Sequence, residues 1–331
     1  MNFVFLNTFE RQLGDSRVRC AYLSICEREG IWAVQWTEEE DMQQKPVETW
    51  YEGPSWEEML MAFRHGVAGR MVQGYTPVID GMLDERRAYA GSKVSLLQCY
   101  GEMHADKELF DELREWRRAR AAAEKKSAYL IANNRMLWMI SAFVPHTAEE
   151  LMQIPGWGEA KQSAYGAEVL KLTVKYEQRK PFPLDWVADE IDADTLSAWR
   201  YRQKQSKFKQ QMDRHQEKRR ILEGIREGST LDELAAKLDI PRRELMERIE
   251  QLEREGYDLE SLVARELAGM PEEEQRQVWE ALGSIGDRYL KPVLHRVYGE
   301  EGAAGKPLDI MYDRLRLIRI RFRREGKEEA I

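Results

Sequence analysis

One change of hydrophobic period divides this chain. Before about residue 100 the apolar residues alternate or cluster in short runs, and from Asp106 onward they recur every three or four positions. "VRCAYLSICE" and "IWAVQW" gather β-branched and aromatic residues on either side of Arg28-Glu29-Gly30, a hairpin-like punctuation, and "VETWYEG" reads as a third strand. In "PSWEEMLMAFRHGVAGRM", Ser55 and Glu58 make a capping box, while Met59, Ala62, Phe63 and Val67 share one helical face. A small sheet with one face covered by a helix is predicted. Trp32, Trp36 and Trp50 lie in those strands, where they suit either a sheet core or a base-stacking platform; half-buried strands favour the core.

After Asp106, "LFDELREWRRARAAAEKK" places Leu109, Leu113, Trp116 and Arg120 on one stripe, with acids early and bases late, as the helix dipole prefers. Further helix starts are marked by Asn133 or Asn134, by a capping box from Thr147 to Glu150, and by the glycines of "IPGWGEAK". The pattern predicts five short helices in a compact bundle. "EQRKPFPLDWVADEIDADTL" has two prolines and no clear period, so it reads as a linker, and amphipathic helices return after it. The expected fold is mainly α. It comprises an α+β domain over residues 1–100, a bundle over 106–177, a linker and basic helix over 178–220, and a helical domain over 221–325.

The formal net charge of −8 opposes indiscriminate attraction to polyanions, so any contact with nucleic acid must come from local patches. Cys20, Cys26 and Cys99 have no disulfide or zinc spacing, which fits a reducing compartment; Cys20 and Cys26 share one strand face as small hydrophobes. No apolar run approaches bilayer length and the N-terminal residues lack a leader pattern, so a cytoplasmic protein is expected.

"IPGWGEAK" carries the first candidate site. Gly156 and Gly158 allow a tight turn with outward amides, and the following helix start with Lys161 would form a phosphate seat. A structural turn accounts for the glycines equally well. The window 197–220 holds nine Lys or Arg against Asp213 and Glu217, including Arg202, Lys204, Lys207 and Lys209. It admits a solvated helix, a nucleic-acid contact in which Trp199, Tyr201 and Phe208 stack, or a membrane-surface helix; its aromatics form no continuous apolar face, which weakens the last. A second basic stretch, Arg314, Arg316, Arg319, Arg321, Arg323 and Arg324, flanks a Leu315, Ile318, Phe322 stripe. No phosphate loop, separated acidic nuclease motif, metal-binding histidine spacing or Ser-His or Cys-His arrangement stands out, so no catalytic residue, metal or cofactor is expected.

From Leu109 to Tyr176 the chain resembles the HRDC domain, the helicase and RNase D C-terminal module. The family's "Y-x-x-x-x-[ND]-x-x-L" run aligns with Tyr129, Asn134 and Leu137, and its "G-x-G-x-x-K" turn with Gly156, Gly158 and Lys161. The resemblance implies a five-helix bundle and, as in several members, weak binding of single-stranded or partly duplex nucleic acid. Lys107 to Tyr176 carry eleven Lys or Arg against nine Asp or Glu, so phosphate attraction should be weak and salt-sensitive. "STLDELAAKLDIPRRELMERIEQLEREG" resembles the helix-turn-helix domain at the C-terminal end of some RecQ-like helicases. In a DNA-reading version Arg242, Arg243 and Arg248 would face the groove, although five glutamates on the second helix would repel phosphate, which favours a structural or partner-binding pair.

The reading is therefore a non-enzymatic nucleic-acid-binding protein. It would contact single-stranded or forked DNA through Tyr129, Asn134, the Gly156 to Lys161 seat and the basic helix, and serve a helicase on a separate chain. Its rival is a protein-interaction adaptor with no nucleic-acid contact; a nuclease with unrecognised metal ligands is a third.

Overall fold

The computed structural model describes residues 2–14, 17–40, 43–44, 46–79, 93–302 and 308–328. The chain forms two compact units, Met1–Lys209 and Gln210–Ile331.

The first unit begins with β1 (Asn2–Leu13), β2 (Arg17–Arg28), β3 (Ile31–Glu40), β4 (Gln43–Gln44) and β5 (Glu48–Gly53). Helix α1 (Trp56–Val72) and the short β6 (Thr76–Pro77) follow. The sheet order is β4-β3-β2-β1-β6, with β5 also pairing β3, and every pairing is antiparallel. Glu29 and Gly30 both adopt positive φ, 54° and 80°, in the two-residue turn joining β2 to β3, a twist that suits a tight hairpin. The β1 strand, which the punctuation of the sequence did not reveal, pairs with β2 over its whole length.

Phe9, Ala21, Leu23, Val34 and Trp36 form the buried face of the sheet, against Met59, Phe63 and Val67 of α1. The predicted stripe of α1 is thus the covered one. Ser55 accepts the Glu58 amide, and the Ser55 amide donates to the Tyr51 hydroxyl, so the helix start is tied to β5. The tryptophans serve the core: Trp36 and Trp50 stack 5.5 Å apart, and the Arg70 guanidinium lies 4.9 Å from the Trp36 ring while pairing with Glu38 and Glu48. Cys26 is buried and Cys20 half-buried.

The helical part of this unit contains α2 (Lys93–His104), α3 (Lys107–Glu124), α4 (Ala128–Ile131), α5 (Asn134–Phe143) and α6 (Ala148–Leu151). Next, α7 (Glu159–Lys161) runs through a π-turn at Gln162–Gly166 into α8 (Ala167–Thr173). Taking that run as one helix, α3 to α8 are the five expected helices. Their caps are those read from the sequence: Asn133 accepts the Met136 amide, and Thr147 and Glu150 close a reciprocal capping box.

The core extends beyond the expected bundle at both ends. Leu97, Cys99 and Tyr100 of α2 join it, as do Leu184, Val187, Ile191, Leu196 and Trp199 from the stretch read as a linker and basic helix. A Cβ on Gly101 would lie 3.0 Å from the Met139 Cα, so α2 and α5 cross at a distance only glycine permits. Residues 184–199 carry α9 (Val187–Glu190) and the start of α10 (Ala193–Glu227). Their apolar residues follow Pro181 and Pro183 and are spread over short, broken helical pieces, so no single period runs through them.

The second unit holds the end of α10 with α11 (Leu231–Leu238), α12 (Arg242–Arg254), α13 (Glu260–Leu267), α14 (Glu272–Ile285), α15 (Leu290–Gly302) and α16 (Leu308–Glu328). Helices α11 and α12 are joined by a short turn through Asp239, in the left-handed region, Ile240 and Pro241; Thr230 and Glu233 make the expected capping box. Leu231, Leu234, Leu245, Ile249, Leu315 and Ile318 lie in its core. Among the described residues no helix is long and apolar enough to cross a membrane.

Candidate nucleic-acid interface

The face around the α4–α5 connection collects most of the bundle residues singled out by sequence. After α3 ends at Lys125 in the left-handed region, the one-turn α4 projects the Tyr129 ring outward, 69% exposed, beside Leu130 at 54%. Ile131 and Ala132 turn inward and are fully buried. A short helix whose last carbonyls have no helical partner needs donors, and two cations supply them. Lys161 Nζ donates to the Leu130 and Ile131 carbonyls at 2.7 and 2.6 Å. Arg117 Nη1, from α3, donates to the Ala132 carbonyl and to Asn134 Oδ1, each at 2.9 Å.

These contacts revise three expectations. Lys161 does not extend freely from the glycine turn; it fastens that turn to α4. Asn134 has its side-chain oxygen engaged by Arg117. Gly156 is required by the fold, since it has φ 88° and a Cβ there would lie 2.4 Å from Met136 Cε. Gly158 differs: it caps α7 with extended backbone, its carbonyl accepts the Lys161 and Gln162 amides, and open space surrounds the position a Cβ would take. Trp157 is buried and donates to Gln162 Oε1, so it anchors the turn instead of presenting a ring.

Electrostatically, burial pulls Lys161 below the usual lysine range, and no carboxylate among the described residues offsets it. Arg117 is lowered by burial and by its neighbours Arg114 and Arg118. Both charges are solvated by carbonyl dipoles, which hold a cation without cancelling its field. Sequence inspection missed Arg117. It stands in the run "REWRRARA" and nothing in that run shows which arginine turns toward α4.

The basic helix behaves differently. Trp199 is buried and donates to Glu102 at 2.7 Å, and Tyr201 packs against the sheet core, so these aromatics are structural. Arg202 and Lys209, seven residues apart, share one exposed stripe of α10. Lys204 and Lys207 lie roughly on the opposite side of the helix, and Lys204 sits 5.7 Å from the Tyr201 ring. The cluster that looked continuous in sequence is split between two faces.

In the second unit the candidate arginines meet carboxylates. Arg242 is ringed by Asp313 at 2.8 Å, Glu266 at 3.5 Å and Asp232, which removes it from a groove-reading role. Arg248 pairs with Glu217 and Glu244, and the exposed Arg243 pairs with Glu247 at 3.5 Å. Four of the α16 arginines are likewise held, Arg319 by Glu250, Arg321 by Glu260, Arg323 by Asp287 and Arg324 by Asp258. Among the described residues no group of three or more His, Cys, Asp and Glu is arranged to hold a metal ion.

No curated protein and no solved structure matches the chain significantly. Residues 106–173, which run from the Asp106 cap of α3 to the end of α8, match the family model of the HRDC domain, a module associated with nucleic-acid binding in helicase and RNase D contexts.

Proposed function

We propose that the bundle binds single-stranded or forked DNA on the face made by Tyr129, Leu130, the Gly158 turn and the Arg117–Lys161 pair, without catalysing a reaction itself. The observation that carries this reading is local. One segment, Tyr129 to Ala132, offers an exposed ring, and among the described residues the two cations that clamp its carbonyls meet no carboxylate. A stacking ring beside uncancelled positive charge suits an unpaired base and its phosphate. Gly158 supports the same reading, because neither its φ nor its surroundings demand glycine, while an approaching backbone would benefit from the space. In the second unit Arg242 and Arg248 are already neutralised, so the α11–α12 pair has a structural role in this reading. Service to a helicase on another chain is suggested by the family context, and a reducing compartment by the unpaired cysteine spacing.

Labelled single-stranded, forked and duplex DNA titrated against the full chain at two salt concentrations tests the proposal. Binding to the single-stranded and forked probes should fall linearly in log salt, and Tyr129→Ala should weaken it with no change in melting temperature. A Tyr129→Ala protein that binds as the parent does, or a parent that ignores all three probes at low salt, would overturn it.

A further inference from the structure

The side of α3 turned away from Arg117 carries the opposite charge. Glu108, Asp111, Glu112 and Glu115 follow the spacing i, i+3, i+4, i+7, so they form one stripe along two turns of the helix. That stripe walls an open groove of about 640 Å³ whose floor is Trp116, Leu172 and Tyr176. The floor is contributed by α3, by α8 and by the residues just after it, so its shape is fixed by the bundle core.

We propose that this groove docks a cationic protein segment, with arginines or lysines meeting the acidic wall and a leucine or aromatic side chain seated on the floor. The inference goes beyond the nucleic-acid reading and needs no part of it. Charge selects the occupant: a polyanion is repelled by the acidic stripe, and an uncharged apolar segment would desolvate it with no cation to compensate. Glu108 is exposed and has no cationic partner among the described residues. Asp111 and Glu115 pair with Arg114 and Arg118, which by helical position lie on the far side of the stripe from Trp116. Exposed pairs of that kind are weak and can exchange partners. Glu112 accepts the Tyr176 hydroxyl at 3.0 Å and faces Lys175 at 3.4 Å, which fixes its carboxylate at the rim. The anionic character of the groove is felt by the Tyr176 phenol, pushed up to about 12 by burial and then by Glu112, Glu108 and Asp106. A groove of this size holds one large side chain and parts of its neighbours, the usual scale for a peptide anchor.

The test uses the full chain and fluorescein-labelled peptides of about 12 residues in which arginine and leucine recur at helical spacing. Control peptides replace the arginines by glutamate or the leucines by glycine. The arginine–leucine peptide should bind and each control should bind at least tenfold more weakly. The double variant Glu108→Lys with Glu115→Lys changes only exposed positions and should lose at least tenfold. Tyr129→Ala should leave peptide binding unchanged, which separates failure here from failure of the DNA reading. Equal binding of the leucine and glycine peptides, an unaffected double variant, weakened peptide binding by Tyr129→Ala, or no binding of the arginine–leucine peptide at low salt would each overturn the assignment. So would an anisotropy change explained by self-association of the chain.

Discussion

The α3–α8 bundle and the C-terminal unit hold their cations in opposite ways. In the bundle, Arg117 and Lys161 are solvated by the main-chain carbonyls of Leu130, Ile131 and Ala132. In the C-terminal unit, Arg242 meets three carboxylates, and Arg319, Arg321, Arg323 and Arg324 meet at least one each. The C-terminal stretch is far richer in arginine, yet most of its positive charge is cancelled within the fold. A carbonyl pair stabilises a cation while leaving a full unit charge for a phosphate to find, whereas a carboxylate pair leaves a dipole. Density of Lys and Arg in sequence is therefore a poor guide to where this molecule is electropositive.

The largest effect that would sharpen the contrast is structural. Arg242→Ala strands Asp313 and Glu266, both largely buried, and should cost the C-terminal unit about 2–3 kcal/mol, below the top of the range for a broken buried pair because Asp232 is exposed. Urea denaturation measures it, and a loss under about 0.5 kcal/mol would show that the carboxylates are solvated without Arg242.

Next in size, Tyr129→Ala should weaken single-strand binding about tenfold, within the about 1–3 kcal/mol associated with one stacked base. Lys161→Met should reduce the salt slope by about 0.7, the contribution of one phosphate contact on a single strand, and should also lower the melting temperature because two carbonyls lose their donor. Loss of stability with an unchanged slope would make Lys161 purely structural.

Acid should separate the two regions. The Arg323 guanidinium holds Asp287 below the usual carboxylate range, and the Glu260 amide followed by Arg324 does the same for Asp258. Groups depressed in the folded state contribute stability that is present above their unfolded value, about 3.9, and is lost as pH falls through the folded one. Arg117 and Lys161 stay protonated throughout that window. Hydrogen exchange should show α12, α13 and α16 losing protection below about pH 4 ahead of the α4–α5 face. Simultaneous loss would break the distinction.

The smallest effect concerns α10. Arg202→Glu with Lys209→Glu, and Lys204→Glu with Lys207→Glu, alter opposite sides of one helix, so at most one pair should change DNA affinity in a titration at fixed salt. Equal losses from both would restore the continuous basic surface that the sequence suggested.

Much of the fold was legible because its signals are local. The caps at Asn133, Thr147 and Thr230 and the apolar stripe of α1 were read correctly, since each depends on residues within one or two turns. The β1 strand was missed: its apolar residues sit at the chain start, away from the turn signals that marked the other strands. Within the stretch read as a linker, Leu184, Val187, Ile191 and Leu196 belong to the core because burial against the bundle, not local period, orders them.

The sequence alone determined most of the element types, the change of period, the anionic balance and the presence of the Tyr129 and Gly156 to Lys161 motifs. Only the tertiary structure decided which cations keep their charge. That depends on what lies opposite a guanidinium or ammonium across 15 to 71 residues of chain, as with Arg117 and Ala132 or Arg242 and Asp313. Coulomb interactions act through space at a few ångströms, and the chain order carries no record of that distance until the helices have packed.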